Sequence, residues 1–486
     1  MEKRIVAVLL AAMMLMSLLC ACSSTGTAQS SPQNHSSGEE PTATRVGNFE
    51  IPAAGYDGSE VTITFYNTMG ANLREVLDNY ILEFNEMFPN IHIEVSQVGG
   101  YDDVRAQITQ EITVGNQPNI AYCYPDHVAL YNMGGAVTVL DDLIASEIPV
   151  THADGSTEIL GLTAQQKDNF IEGYYNEGKQ FGDGLMYTLP LSKSTEILYY
   201  NKTFFDEHGL TVPTTWDEMY EACKAIKEID PASIPLGYDS ESNWFITMCE
   251  QYGSDYTSSG EDHFLFNNET NRGFVEMFNG WYREGFVTTQ SLYGAYTSGL
   301  FTTMEGTKSY MSVGSSAGAT YQRPAQNTDG SYPFEVGIAT IPQANAENPK
   351  VISQGPSLCI FQKDNPQEVL ASWLFVKFLT TDVEFQAEFG MASGYVPVIK
   401  SVKDNPVYAS FLASADGYNY ISAMAAKIGL EQQNAYYTSP AFNGSSTARD
   451  QVGALLTKCL TMSGDNLAKQ IEAAFEDAVA ECEYSS

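Results

Sequence analysis

Gly314, Ser316 and Gly318, in the stretch VGSSAG, spell G-x-S-x-G, the nucleophile elbow of serine hydrolases. An elbow sets its serine between a strand and a helix, and KSYMSV before it and SAGATYQ after it suit those elements. The chemistry fails on chain order. In that fold the acid and then the histidine follow the serine, whereas the last histidine here, His263, precedes Ser316. What remains for the turn is binding. Backbone N–H groups and hydroxyls at the start of a helix suit an anion or a sugar hydroxyl, or simply cap the helix. The histidines at 35, 92, 127, 152, 208 and 263 form no HExxH and no i,i+4 pair, so no zinc site is indicated. Cysteines 123, 223, 249, 359, 459 and 482 form no CxxC. Export would permit disulfides, but these positions suit small apolar residues and are expected to be buried free thiols. No catalytic residue, metal or cofactor is expected.

Acids outnumber bases 60 to 24, for a formal net charge of −36. Such a balance excludes nucleic acid as a partner, because a phosphate polyanion needs a basic face. It also excludes adhesion of the folded body to an anionic membrane, and suits a dispersed, secreted protein. The N-terminus reads as an address. Lys3 and Arg4 precede an apolar run from Ile5 to Leu19, too short and wrongly flanked to span a membrane. LCAC, Leu19 to Cys22, resembles a bacterial lipobox, which makes 1–21 a lipoprotein signal peptide and Cys22 the lipidated residue. Lipid would tether the chain to the outer face of the plasma membrane. A Ser/Thr/Gly/Pro-rich stretch then reads as a flexible stalk over 22–58.

Strand and helix alternate from Val61. VTITFY, IHIEV and NIAYCY read as strands, and NLREVLDNYILEFNEMF and YDDVRAQITQEITVG as the helices between them. That alternation predicts a largely parallel sheet covered by helices. Ligands of such sheets sit at the carboxyl ends of the strands, here the loops 66–70, 99–101 and 124–126. LMYTLPLSKSTEILYYN reads as two strands broken at 190–194. Thr215 with Glu218 forms a capping box. Helices are expected over 268–284 and 365–380, and two more within 446–482, split near Gly464. A chain of 486 residues exceeds what one core usually covers, so two α/β lobes are expected.

FYNTMG, GNQPNIAYCY, LPLSKSTEILYYNKTFF, VPTTWDEM and SGYVPV together resemble the extracellular solute-binding proteins of family 1, the carbohydrate class of ABC importer receptors. The resemblance covers the body from about Val61 to the C-terminus. It implies an α/β, periplasmic-binding-protein type II-like fold of two lobes with a ligand cleft and hinge crossings. Residues 59–191 and 350–380 would form the first lobe, and 192–349 and 381–486 the second. Within the family the likeness is closest to the glycerol-3-phosphate-binding proteins. That likeness implies ligand contacts from Tyr101, the hinge Ser194, a stacking Trp244, Ser316, the Gly355 backbone, Tyr395 and a phosphate-binding Arg449. Where that group carries a Glu, this chain has Pro125 with Asp126 beside it. Either Asp126 takes over the hydroxyl contacts or the ligand differs. Lys193, in place of a serine, adds a charge to the hinge or faces water. The expected protein is a monomeric, lipid-anchored receptor, not an enzyme, that hands a carbohydrate-like solute to an ABC permease. Its expected solute is glycerol 3-phosphate or a glycerophosphodiester, with a neutral oligosaccharide as the alternative; a secreted hydrolase fits less well.

Overall fold

The computed structural model describes residues 45–414, 417 and 419–485. The expected signal peptide, its Cys22 lipidation site and the expected stalk up to residue 44 lie outside them. Strands along the chain are β1 (Val61–Asn67), β2 (Ile91–Gln97), β3 (Ile120–Cys123), β4 (Pro149–Thr151), β5 (Thr157–Ile159), β6 (Thr188–Pro190) and β7 (Ser194–Asn201). They continue with β8 (Leu236–Tyr238), β9 (Val287–Thr289), β10 (Met311–Ser315), β11 (Val336–Thr340), β12 (Val351–Gln354), β13 (Ser357–Ile360) and β14 (Tyr436–Tyr437).

The first lobe is built on a sheet of order β2-β1-β3-β13-β6. Val61, Ile63 and Phe65 alternate inward along β1, the period of a strand with one face on a core. β1 runs parallel to β2 and β3, as the strand-helix alternation predicts. β13 enters antiparallel between β3 and β6. The helix Ala71–Met87 buries Leu77, Tyr80 and Phe84 against this sheet. The second sheet has the order β14-β12-β7-β10-β8-β9, with β11 also paired to β7. Its core takes in the helix Trp216–Ile229, opened by the expected box in which the Thr215 hydroxyl accepts from the Glu218 N–H at 3.2 Å. The helices Glu269–Arg283, Pro366–Thr381, Ser445–Leu460 and Leu467–Ser485 match the expected ones within a few residues. All six cysteines of the body are buried, and no disulfide joins them among the described residues.

Three segments lie elsewhere than expected. Residues 45–58 are not a stalk. Phe49 is buried in the first core, Asn48 bonds Val137 and Val139, and the Gly47 N–H donates to Asp142 at 2.7 Å. Phe49, with Ile51 and Tyr56 packed beside it, docks the segment. β12, expected with the first lobe, pairs with β7 in the second sheet. Residues 383–412, expected with the second lobe, bury Phe385, Phe389, Val398 and Tyr408 in the first core. The chain passes between the lobes at other places than the sequence reading gave, because apolar patterning does not tell one core from another.

Two passages lock together at the hinge. One runs from β6 to β7, the other from β12 to β13, with Ser194 in register with Gln354. Gly355 has φ +108°, and a Cβ there would lie 2.6 Å from the Ser192 carbonyl oxygen and 2.8 Å from the Lys193 Cα. Glycine is required on both counts. Lys193 also exchanges backbone bonds with Val396, which brings the SGYVPV motif into the same knot.

Candidate functional site

The loop after β3 reaches the space between the lobes. Pro125 takes the first position of the helix Pro125–Tyr131, where its missing N–H is no loss. It thereby sets Tyr124 and Asp126 at the lobe edge. A cleft of about 70 Å³ lies there, lined by Tyr124, Asp126 and Glu177 from the first lobe and by Tyr256, Gln354 and Arg449 from the second.

Arg449 projects from the first turns of the helix Ser445–Leu460. It is the one base lining the cleft, and no acid pairs with it among the described residues. Its guanidinium donates to Asn243 Oδ1. Asn243 is clamped in turn by Gln354, its amide donating to Gln354 Oε1 at 2.8 Å and its Oδ1 accepting from Gln354 Nε2 at 3.0 Å. Gln354 directly precedes the hinge Gly355, so the cation is linked to the hinge through two side chains. Behind this chain lies Glu196, whose carboxylate accepts from the Tyr238 hydroxyl at 2.5 Å. Burial pushes Glu196 up to about 7, against the pull of Tyr238, Asn243 and Arg449.

The facing wall carries carboxylates. Asp126 accepts from the Ser446 hydroxyl of the other lobe at 2.9 Å. Burial opposes its charge, but His127, Arg449 and that hydroxyl together hold its carboxyl below the usual range. Glu177 is 2% exposed, and Lys193 Nζ stands 2.7 Å from its Oε2. Burial pushes Glu177 up, while Lys193 pulls it back. Beside the cleft, Arg105 of the first lobe pairs with Asp450 of the second at 3.1 Å and with its own neighbour Asp102 at 3.3 Å.

Of the residues expected at the site, the structure brings Asp126 and Arg449 together on the cleft. Tyr101 forms the layer behind, stacked on Tyr124 at 4.4 Å and 17° with Tyr395 alongside. Burial raises all three hydroxyls. Ser194 and Gly355 are hinge residues adjoining Gln354. Two expectations fail. Trp244 is fully buried in the second core, its face covered by Tyr238 at 4.7 Å and 8°, with Phe278 at 4.2 Å. On the helix Glu241–Tyr252 Ile246 lines the cleft and Asn243 meets Arg449 and Gln354 behind its wall, and the 100° step from Asn243 turns Trp244 into the second core. Ser316 is also sealed from solvent, and its Oγ accepts from the Thr195 N–H at 3.3 Å. Its turn enters a 3-10 helix and packs under the Tyr395 motif: a Cβ on Gly394 would stand 2.6 Å from the Ser316 carbonyl oxygen. Lys193 does not face water; it is fully buried.

Sequence reasoning missed Glu177, Tyr256, Asn243 and Gln354. Gln354 and Asn243 sit inside the stretches SQGPSL and SNWF, each one place from the residue chosen. Glu177, in YYNEGK, carries no signal of its own; only its contact with Lys193 reveals it.

A two-lobed α/β body with a small cleft at its hinge, walled by apolar surface and a few charged and amide groups, is the architecture of a solute receptor. Residues 79–414 match the family model for the bacterial extracellular solute-binding protein, and the chain belongs to that family. Among curated relatives, the sn-glycerol-3-phosphate-binding periplasmic protein UgpB of Rhizobium meliloti (strain 1021) is 27% identical over 265 residues, 51% of this chain and 56% of that one. UgpB of Escherichia coli (strain K12) is 23% identical over 356 residues, 71% of this chain and 75% of that one. The chain thus matches little more than half the length of the first and three quarters of the second. Among solved structures, UgpB from Mycobacterium tuberculosis in complex with glycerophosphocholine has a TM-score of 0.68 at 18% identity, over 87% of this chain and 99% of that one. The cyclic alpha-maltosyl-1,6-maltose binding protein from Arthrobacter globiformis has a TM-score of 0.66 at 18% identity, over 88% and 100%. Both share the fold.

Proposed function

We propose that this chain is the receptor of an ABC importer, tethered through lipid on Cys22, and that it captures a small phosphorylated polyol. Glycerol 3-phosphate or a glycerophosphodiester is the solute class. The observation that carries this reading is Arg449, a cation on the cleft wall that forms no ion pair among the described residues and is held by a neutral amide, which leaves it able to meet an anion. Its planar fork suits a phosphate in bidentate contact. The curated relatives named for sn-glycerol 3-phosphate support the same class. Asp126, Tyr124 and Glu177 would face the polyol, while Tyr101, Tyr395 and Ser194 support the wall and hinge. The receptor acts as a monomer outside the plasma membrane. Solute touching both lobes favours the closed form, which docks on the permease; no bond is broken.

Calorimetric titration of the full chain in detergent with glycerol 3-phosphate, glycerophosphocholine and neutral oligosaccharides tests the reading. We expect micromolar or tighter binding of a phosphate ester. Arg449→Ala should lose about 2–5 kcal/mol of that affinity, the cost of removing one partner of a charge-assisted pair in a closed cleft. Binding of a neutral sugar alone, or full affinity in the variant, refutes the phosphate assignment.

A further inference from the structure

The cleft has two unlike poles. On the second lobe, Arg449 can only donate. On the first, Glu177 when ionised can only accept. Its companion explains why it stays in place. Lys193 Nζ lies 2.7 Å from Glu177 Oε2, 3.1 Å from Ser357 Oγ and 3.4 Å from the Gly355 carbonyl oxygen. Three partners use the three protons of an ammonium, and Lys193 is fully buried, so it has nothing left for a solute. Glu177 lines the cleft itself, with its position fixed by a cation drawn from the hinge. A second carboxylate, Asp126, stands on the same wall.

We propose that Glu177 is a specificity-determining residue, held by Lys193, that admits solutes whose end opposite the anion carries hydrogen-bond donors. The ligand class is then a polyol or amino alcohol with one anionic end. A second anionic group at the far end would meet two carboxylates and bring Glu177 no donor beyond the one Lys193 already supplies. A site built to bond a hydroxyl discriminates strongly against an analogue that lacks it. The inference rests on the solute reading above for which end is anionic, but the demand for a donor at Glu177 does not.

The test compares sn-glycerol 3-phosphate with 3-phosphoglycerate, which keeps the phosphate and replaces the terminal CH2OH by a carboxylate. A second pair, glucose and glucuronate, makes the same change without phosphate. Affinities are measured on the full chain in detergent, for the wild type, Glu177→Gln and the double variant Glu177→Gln with Lys193→Met. The double variant removes both buried charges and so keeps the site balanced if the single variant folds poorly. We expect the wild type to prefer the hydroxyl member of a pair by at least ~100-fold and either variant to compress that ratio below ~10-fold. Discrimination confined to the sugar pair retains Glu177's role and refutes the phosphate reading. An unchanged ratio in a folded variant, equal wild-type affinity for both members, or binding of none of the four solutes overturns the proposal.

Discussion

Arg449 is placed by neighbours rather than by an opposite charge. Asn243 and Gln354 hold it through neutral amides, which leaves its guanidinium without a direct ion pair among the described residues, although the nearby Asp126 and Glu196 feel its charge. Asn243→Ala should therefore weaken phosphate-ester binding by about 1–3 kcal/mol, the range for stranding a buried polar partner. The loss should largely vanish in an Arg449→Ala background, because the two act as one unit; calorimetric affinities of the four proteins give the cycle. Ser316 behaves otherwise. Its hydroxyl satisfies one buried N–H, so Ser316→Ala should cost about 1–3 kcal/mol in urea unfolding and leave solute affinity unchanged. A loss of binding at full stability would return the turn to the site.

At the scale of elements, the hinge is a knot of backbone rather than a pair of loose linkers. Gly355 combines a left-handed φ with contacts that leave no room for a Cβ. Gly355→Ala should destabilise the protein by at least about 1–3 kcal/mol, read from its denaturant midpoint. The elements themselves were legible from the sequence. The period of β1, the capping box at Thr215 and the break between β6 and β7 are local signals, and the structure has all three. Asp126 was within reach of the sequence because it sits on a strand-end loop, whereas Arg449 was reached only through the family likeness. Trp244 was misread for want of a helix phase, since Asn243 and Trp244 differ only by rotation about an axis. Lys193 stayed open between a hinge charge and a solvent-facing one because its partner, Glu177, is a neighbour only in space. The lobe boundaries were misread for the same reason: 383–412 has the apolar content of a core but no mark saying which core.

For the whole molecule, acidity and burial meet at Glu196. Its carboxyl is raised to about 7 in the fold, so the folded state holds that proton more tightly than the unfolded chain. The associated stability is complete below the ordinary carboxylate range and is lost as pH rises through about 7. Across that window the loss is about 3 kcal/mol at 1.36 kcal/mol per pH unit. Urea midpoints at pH 5 and pH 8 should differ accordingly in the wild type, and less in Glu196→Gln. Equal differences in both proteins would remove Glu196 as the cause. Asp126 contributes with the opposite sign, its stability being lost only in acid as its lowered carboxyl takes up a proton. The lobes also meet through Arg105 and Asp450, a half-exposed pair, so Arg105→Ala should weaken solute binding by no more than about 1 kcal/mol, and less at high salt. A further consequence follows from β13, which lies between β3 and β6 with Ser357 in register with Cys123 and with Pro190. A chain threaded across a membrane N-terminus first delivers both edges of that gap long before the strand that fills it. Until residues 357–360 emerge, the first lobe has an open seam with unpaired backbone on either side. The nascent receptor must then be shielded during secretion, and its maturation should be timed by passage of its last third rather than its first.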